Sequence, residues 1–118
     1  MSDYPHFRPL FEAAIDPRFY TIDHLDHLVQ SKRAQCWFGE EAAIVTELRT
    51  YPAGARVIHG LVAAGALDEI VEQLIPRAEA WARSIGCAFA IIESRRGWAR
   101  ALKRQGYEPH QVAVRKAL

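Results

Sequence analysis

The stretch that decides the fold is residues 67–93, LDEIVEQLIPRAEAWARSIGCAFAIIE. Its first part repeats apolar residues at steps of three and four, which is typical of one long amphipathic helix. Asp68 and Glu69 suit the first turn of that helix, and Gly86 suits its C-terminal cap. Pro76 removes one backbone hydrogen bond, so we expect a kink near that residue. The apolar stripe consists of Leu67, Ile70, Val71, Leu74, Ile75, Ala78, Trp81, Ala82 and Ile85.

The segments that follow this helix predict strand, helix and strand. Residues 87–93 form a continuous apolar run, which indicates a buried central strand. A short helix is expected from about residue 96 to residue 105, ending at Gly106. Residues 111–115 alternate valine with other residues and predict a last strand.

The first half of the chain predicts two short helices and then three strands. Pro9 can open the first helix, and Thr21 is a plausible N-cap for the second. Turn residues separate the strands, so we predict a three-stranded antiparallel meander. The predicted helices are residues 9–15 and 22–30, and the predicted strands are residues 34–38, 42–50 and 56–63.

Composition restricts the class of protein. The chain has 118 residues, of which 50% are hydrophobic and 25% charged, so it is globular rather than disordered. The net charge of +1 predicts neither a nucleic acid nor an anionic membrane as partner. The amino terminus lacks a signal peptide pattern and no apolar run approaches the length of a membrane span, so we expect a cytoplasmic protein. Cys36 and Cys87 lack the paired spacing of a zinc site, and we expect two reduced, buried thiols.

The order of these elements resembles the GNAT (GCN5-related N-acetyltransferase-like) superfamily over roughly residues 20–118. The specific part lies near the end: residues 82–86 of the long helix, the apolar strand, and the short helix ending in Gly106-Tyr107. The resemblance implies an α/β (α+β) fold, with a mixed, mostly antiparallel sheet flanked by helices. It also implies a single GNAT-like domain over residues 1–118, with an N-terminal helix and turn in residues 1–20 and the core in residues 21–118. Compact size and the Arg96-Gly97-Trp98 segment resemble small phage-encoded GNAT-like proteins.

The resemblance further implies acetyl-coenzyme A as cofactor. In that family the loop before the long helix holds the pyrophosphate on backbone N–H groups. The equivalent residues here are Val62, Ala63, Ala64, Gly65, Ala66 and Leu67, with Arg95 and Arg96 expected near the cofactor. Gly65 stands for the first glycine of the family pattern, whereas Val62 and Leu67 depart from it. Asp68 and Glu69 place two carboxylates beside the expected phosphate site. Leu102 stands where many relatives have a tyrosine that protonates the departing thiolate.

Glu47 and His59 are the candidate catalytic residues. If Pro52-Ala53-Gly54 forms a three-residue hairpin loop, Tyr51 faces Ala55 and Glu47 pairs with His59. An imidazole that is oriented by a carboxylate would make a general base, because the pKa of histidine lies near neutrality. The other reading of the same pair is a polar cross-strand contact on a solvated sheet face.

Three functions follow from these patterns. The first is transfer of an acetyl group to an amine of a small molecule or a protein. The second is a catalytically inactive GNAT-fold protein that acts as a binding or assembly module, with a protein partner or as a homo-oligomer. The third is nucleic-acid binding through the basic short helix, which the near-zero net charge disfavours. His24 and His27 share one helix face, but a metal would need further ligands, so a solvated face is favoured.

Overall fold

A computed structural model of the protein describes residues 3–93 and 96–118. Helices α1 (Tyr4–Ala14) and α2 (Ile22–Gln30) precede strands β1 (Ala34–Phe38), β2 (Ala42–Thr50) and β3 (Arg56–Gly65). One continuous helix, here called the long helix, then covers residues 67–84. It contains α3 (Leu67–Glu69), a π-helical turn (Ile70–Leu74) and α4 (Ile75–Ser84). Strand β4 (Phe89–Ile92), helix α5 (Arg96–Leu102) and a 3₁₀ turn (Lys103–Gln105) complete the described elements.

The four strands form one mixed sheet in the order β1-β2-β3-β4. Strands β1, β2 and β3 pair antiparallel, which confirms the predicted meander. Strand β4 pairs parallel to β3, because the long helix carries the chain back along the sheet between the two strands. The predicted fold class, a mixed sheet flanked by helices, is confirmed.

Each face of the sheet carries its own apolar core. The long helix covers one face with Ile70, Val71, Leu74, Ile75 and Ala78, which pack on Ile44 and Ile58. Helices α1 and α2 cover the other face, where their side chains pack on Ala43, Val45 and Ala64. The apolar faces of the three helices therefore cover the central strands β2 and β3 on both sides of the sheet.

Helix α1 begins at Tyr4, so the prediction that it begins at Pro9 was wrong. Phe7 and Phe11 lie one turn apart on its buried face, and these contacts outweigh the backbone bond that Pro9 removes. The hydroxyl of Tyr4 donates to Asp26 of α2 at 2.6 Å, and Arg8 binds the same carboxylate with two nitrogens. This junction fixes α1 against α2.

Helix α2 and the long helix follow the predicted boundaries closely. The Thr21 hydroxyl accepts the His24 N–H, which confirms the N-cap, and Gly86 adopts the left-handed φ of +89° expected of a C-terminal cap. Near Pro76, where we expect a kink, the turn before the proline is π-helical, with the Ile75 N–H bonded to the Ile70 carbonyl. The wider turn accommodates the missing proline N–H while the helix continues.

Two predictions for the carboxyl-terminal part were wrong. Strand β4 is half-buried, covers only four residues and lies at the end of the described sheet, not at its centre. Residues 111–115 form no strand, and Val112 and Val114 are 84% and 92% exposed. Alternation indicates strand propensity, but a strand also needs a partner, and residues 111–115 pair with none of the described strands. Cys36 and Cys87 are free, as expected, but half-buried rather than buried.

No helix within residues 3–93 and 96–118 is long and apolar enough to cross a membrane.

Strand β3 runs two residues further than predicted, to Gly65, because that glycine pairs closely with Ala42 of β2. Its φ is +101°, and a Cβ at this position would collide with the Glu41 carbonyl and with Ala42. Gly54, in the hairpin between β2 and β3, has a similar φ of +94° but open space around it. A side chain would therefore strain the backbone at both positions, but only at Gly65 would it also meet neighbouring atoms.

Gly65→Ala should lower the free energy of unfolding by about 3 kcal/mol, because left-handed strain and a backbone clash both act. Gly54→Ala, the matched control, should cost only about 1 kcal/mol from the strain alone. Urea unfolding of both variants measures the difference. Equal losses would mean that Gly65 and Ala42 do not approach as closely as described.

Candidate functional site

The sheet opens between β3 and β4. In the part of the chain that the structure describes, the two strands pair over four residues, from Val57 opposite Phe89 to Gly60 opposite Ile92. Beyond Gly60, β3 continues to Gly65, and its recorded partners within the described ranges belong to β2. At the same point β3 contains a bulge, in which Leu61 is the extra residue between the paired positions. A bulge bends its strand and leaves one peptide group outside the ladder, here the ladder between β2 and β3.

A cavity of about 530 Å³ occupies this opening. The segment between α1 and α2 lines it on one side of the sheet, with Asp16, Phe19 and Tyr20. Residues of the long helix line it on the other side, together with Trp98 and Tyr107. Gly60, Leu61, Ile92 and Glu93 form the strand walls between them. The cavity therefore connects both faces of the sheet through the gap between β3 and β4.

A polar cluster adjoins the opening, on the same sheet face as α1 and α2. At its centre is His59, whose side chain is 3% exposed. The His59 Nε2 atom lies 3.1 Å from a guanidinium nitrogen of Arg49 and 3.2 Å from the Tyr51 hydroxyl. Its Nδ1 atom lies 3.6 Å from the Glu93 carboxylate, and that side chain is 70% exposed at the edge of the cavity.

These contacts determine the protonation state of His59. A guanidinium can only donate hydrogen bonds, so Nε2 accepts and the ring proton sits on Nδ1, facing Glu93. Burial lowers the pKa of His59, and the Arg49 charge lowers it further. The imidazole is therefore neutral at pH 7, and a further proton would have to displace the Arg49 contact.

The predicted register of Glu47 opposite His59 is confirmed, including the three-residue hairpin loop closed by the Tyr51 N–H and the Ala55 carbonyl. The two side chains are linked through a third residue rather than directly. The Glu47 carboxylate accepts from the Arg49 Nε at 2.7 Å, and Arg49 in turn contacts His59. The carboxylate nearest to the His59 Nδ1 is that of Glu93.

Arg49, Tyr51 and Glu93 are members of the cluster that the sequence analysis missed. Arg49 and Tyr51 could have been found by counting from the hairpin turn. Arg49 lies on the same side of β2 as Glu47, and Tyr51 directly follows β2. Glu93 could not, because its position depends on the parallel pairing of His59 with Ile91. A hairpin can be counted from its turn, whereas a parallel register across a long helix has no such local signal.

The expected pyrophosphate loop is shorter than the sequence suggested. Val62, Ala63, Ala64 and Gly65 all lie in β3 and pair with β2, and Leu67 already begins α3. The Ala66 N–H donates to the Glu41 carbonyl at 3.0 Å. The Glu69 carboxylate accepts the Glu41 N–H at 2.9 Å, and Asp68 is exposed.

Solved structures of N-acetyltransferases share this architecture. A GCN5-related N-acetyltransferase from Ralstonia eutropha JMP134 superimposes with a TM-score of 0.75 and 17% identity, covering 98% of this chain and 93% of that one. A ribosomal-protein-alanine N-acetyltransferase from Brucella melitensis biovar Abortus 2308 gives 0.69 and 17%, covering 99% and 94%. An aminoglycoside N-acetyltransferase in complex with CoA gives 0.71 and 11%, covering 99% and 89%. The chain has the GNAT fold. No family model matches its sequence, and no curated protein matches it either.

The remaining predicted GNAT features fall in the carboxyl-terminal part. Leu102, which the sequence resemblance equates with the family's tyrosine acid, is buried in the core under the long helix. Tyr107 packs against the same core and donates to Glu79 at 2.5 Å, and burial raises its pKa. Arg95 lies outside the described residues, as does the side chain of Arg96. Within the described ranges, no group of three or more histidine, cysteine or acidic residues could hold a metal ion.

The His59 environment predicts how stability depends on pH. The unfolded chain protonates this histidine near pH 6.5 and the folded chain only at lower pH, so the unfolded state binds more protons in between. The stabilising contribution is complete above about pH 6.5 and is lost as the pH falls below it. The urea midpoint should therefore fall between neutral pH and about pH 5.

A His59→Asn variant should show a flatter dependence over that range, whereas His24→Asn, on the exposed face of α2, should keep the slope of the unmodified protein. Urea titrations at several pH values test this. The same slope in His59→Asn and in the unmodified protein would show that His59 is not held neutral by its surroundings.

Proposed function

We propose that this protein transfers an acyl group, acetyl in the first instance, from coenzyme A to an amine. One observation carries the proposal: the sheet opens at the Leu61 bulge into a cavity that reaches both faces, with a polar cluster at its rim. The similarity to solved N-acetyltransferases, one of them in complex with CoA, supports it. When bound, acetyl-coenzyme A supplies an activated thioester carbonyl.

The opening suits the acyl-bearing arm of the cofactor. Among residues 3–93 and 96–118, β3 beyond Gly60 has no partner on the β4 side, so its peptide groups there can bond to an amide-containing chain. The Leu61 peptide group, left out of the ladder, is a candidate donor to a carbonyl oxygen at the opening. The volume of about 530 Å³ is within the range of small-molecule sites.

The phosphate end of the site fits less well. The first N–H groups of the long helix, at Leu67 and Asp68, are those that a helix offers to an anion. Asp68 and Glu69 place negative charge in the same turn, which opposes a pyrophosphate. The Glu69 charge is partly offset because its carboxylate is bound by the Glu41 N–H. We therefore expect the affinity for the cofactor to depend mainly on contacts between its acyl-bearing arm and the opening.

Glu93 is the best-placed group to take the proton of an attacking amine. It is exposed at the edge of the cavity, whereas His59 is buried and its Nε2 is occupied by Arg49 and Tyr51. The His59 Nδ1 atom lies 3.6 Å from the Glu93 carboxylate and an Arg49 nitrogen lies 3.7 Å from it, so both attract that carboxylate. Glu47 holds Arg49 in place beside the histidine. In this arrangement Glu93 is the base, and His59 and Glu47 position it.

The alternative is a GNAT-fold binding module without catalysis. The carboxylates in the first turn of the long helix and the buried Leu102 favour it. This alternative predicts no affinity for coenzyme A, so the same titration separates the two functions.

Acetyl-coenzyme A should release or absorb heat when titrated into the protein, with saturation below millimolar concentration. Ala63→Phe, which fills the cavity wall, should weaken binding at least tenfold, a loss of about 1.4 kcal/mol. Ala53→Phe, on the exposed hairpin, is the matched control and should bind normally. Absence of any heat at millimolar cofactor would contradict the proposed function and favour the binding module.

Glu93→Gln should lower kcat/KM about 100-fold, the usual contribution of a general base, in an assay of free thiol released with a panel of amines. His59→Asn should lower it less and change the pH profile, because it acts through Glu93. Glu72→Gln, exposed on the long helix, is the control. Full activity of Glu93→Gln together with inactive His59→Asn would assign the base to His59 instead.

A further inference from the structure

The half of the cavity on the α1 and α2 side of the sheet has an apolar wall and a carboxylate at its edge. The wall includes Phe19 and Leu61. Ile91 belongs to it as well, because it pairs with His59 and therefore points to the same face of the sheet. Glu93 places its carboxylate at the edge of this space. A ligand seated here would meet hydrocarbon along most of its length and one negative charge at its end.

The aromatic part of the wall is held by a short turn. The Asp16 carbonyl accepts the N–H groups of Phe19 and Tyr20, both at 2.9 Å. The Asp16 carboxylate accepts the Arg18 N–H at 3.0 Å and binds the Arg18 guanidinium at 2.7 Å. That guanidinium lies 5.6 Å from the centre of the Phe19 ring. The turn therefore presents Phe19 and Tyr20 to the cavity in a fixed arrangement.

These two aromatic side chains are largely exposed. Phe19 is 59% and Tyr20 is 55% exposed, and both line the cavity. Neither ring belongs to the two described cores, which consist of other residues. Covering aromatic surface of this kind is favourable, and rings that are already fixed lose little freedom when a ligand covers them. The pair is therefore suited to an apolar or aromatic part of a ligand.

Glu93 determines which charge the ligand can carry. Its side chain is 70% exposed, and its described ionic neighbours are a nitrogen of Arg49 at 3.7 Å and the His59 Nδ1 at 3.6 Å. Both distances are longer than a hydrogen bond, and Arg49 is bound more closely to Glu47, at 2.7 Å. The Glu93 carboxylate can therefore still accept hydrogen bonds from a ligand ammonium group. A carboxylate or phosphate on the ligand would instead meet a like charge.

We propose that the acceptor of the acyl group is an arylalkylamine, a primary amine joined by a short carbon chain to an aromatic ring and carrying neither carboxylate nor phosphate. The inference rests on the proposed acyl transfer. The ring lies against Phe19 and Tyr20, and the nitrogen lies at Glu93. The ammonium group releases one proton to water before it reacts. The amine nitrogen then bonds to the acyl carbon while the carbon–sulfur bond breaks. Glu93 takes one proton from the nitrogen and the departing sulfur takes one up, so an amide and a thiol are formed.

The same wall disfavours other classes of amine. An amino sugar would place its hydroxyl groups against Phe19, Leu61 and Ile91, where they lose hydrogen bonds to water. A polyamine would place its further ammonium groups against the same apolar surface, which costs more. An amino acid would bring its carboxylate close to Glu93 together with its amine. Discrimination between amines therefore follows from both the apolar wall and the single carboxylate.

Phenylethylamine is the probe, and phenylalanine, which differs from it by one carboxylate, is the matched anionic ligand. NMR titration of the isotope-labelled protein measures both dissociation constants without requiring transfer. We expect phenylethylamine to bind about ten times more tightly than phenylalanine or glucosamine. Phe19→Ala should weaken its binding about tenfold, because the ring loses apolar contact. Leu10→Ala is the control, since Leu10 is an exposed apolar residue of α1 that is not among the described residues of the cavity, and its binding should be normal.

Thiol release from acetyl-coenzyme A is the second readout. The value of kcat/KM for phenylethylamine should exceed that for ethylamine about tenfold, and Phe19→Ala should reduce this ratio. Equal binding of phenylalanine, glucosamine and phenylethylamine would overturn the proposed acceptor, and so would normal binding of phenylethylamine by Phe19→Ala. If thiol is still released with other amines, acyl transfer stands and only the acceptor class is wrong. No thiol with any amine and no heat from acetyl-coenzyme A would contradict acyl transfer itself, and the acceptor proposal would fail with it.

Discussion

The parallel pairing of β3 with β4 ends after four residues, and the candidate site depends on that ending. Gly60 and Ile92 are the last partners among the described residues, and the bulge at Leu61 follows directly in β3. Each side of the sheet then has its own core, one under the long helix and one under α1 and α2. Strand β3 contacts both cores, whereas the β4 residues Ala90 and Ile92 pack only on the core under the long helix among the described contacts.

The centre of the polar cluster is buried, and this burial explains the protonation state of His59. An imidazole as buried as that of His59 is costly to charge, and a guanidinium against its Nε2 increases the cost. Arg49 forms ion pairs with Glu47 at 2.7 Å and with Glu93 at 3.7 Å, so its charge is offset while the histidine stays neutral. Glu93 remains accessible at the cavity, where a base is needed. His59 is buried and neutral, whereas Glu93 is an exposed carboxylate, and for this reason we propose different roles for them.

Local patterns predicted the fold well wherever the partners are close in sequence. The hairpin turn at Pro52-Ala53-Gly54 determined the register of Glu47 and His59, and the helix caps at Thr21 and Gly86 were readable from residue type. The failures concern contacts between distant segments. Strand β4 was placed at the centre of the sheet and residues 111–115 were predicted as a strand, because apolar content and alternation do not identify the neighbouring strand. Glu93 was missed for the same reason.

A crystal structure of the protein grown with coenzyme A would test the central claim most directly. We predict that the thiol end of the cofactor lies between Leu61 and Ile92, within reach of Glu93, with the strand ladder ending at Gly60 as described here. Cofactor bound elsewhere, or a ladder that continues past Gly60 and closes the gap between β3 and β4, would contradict it.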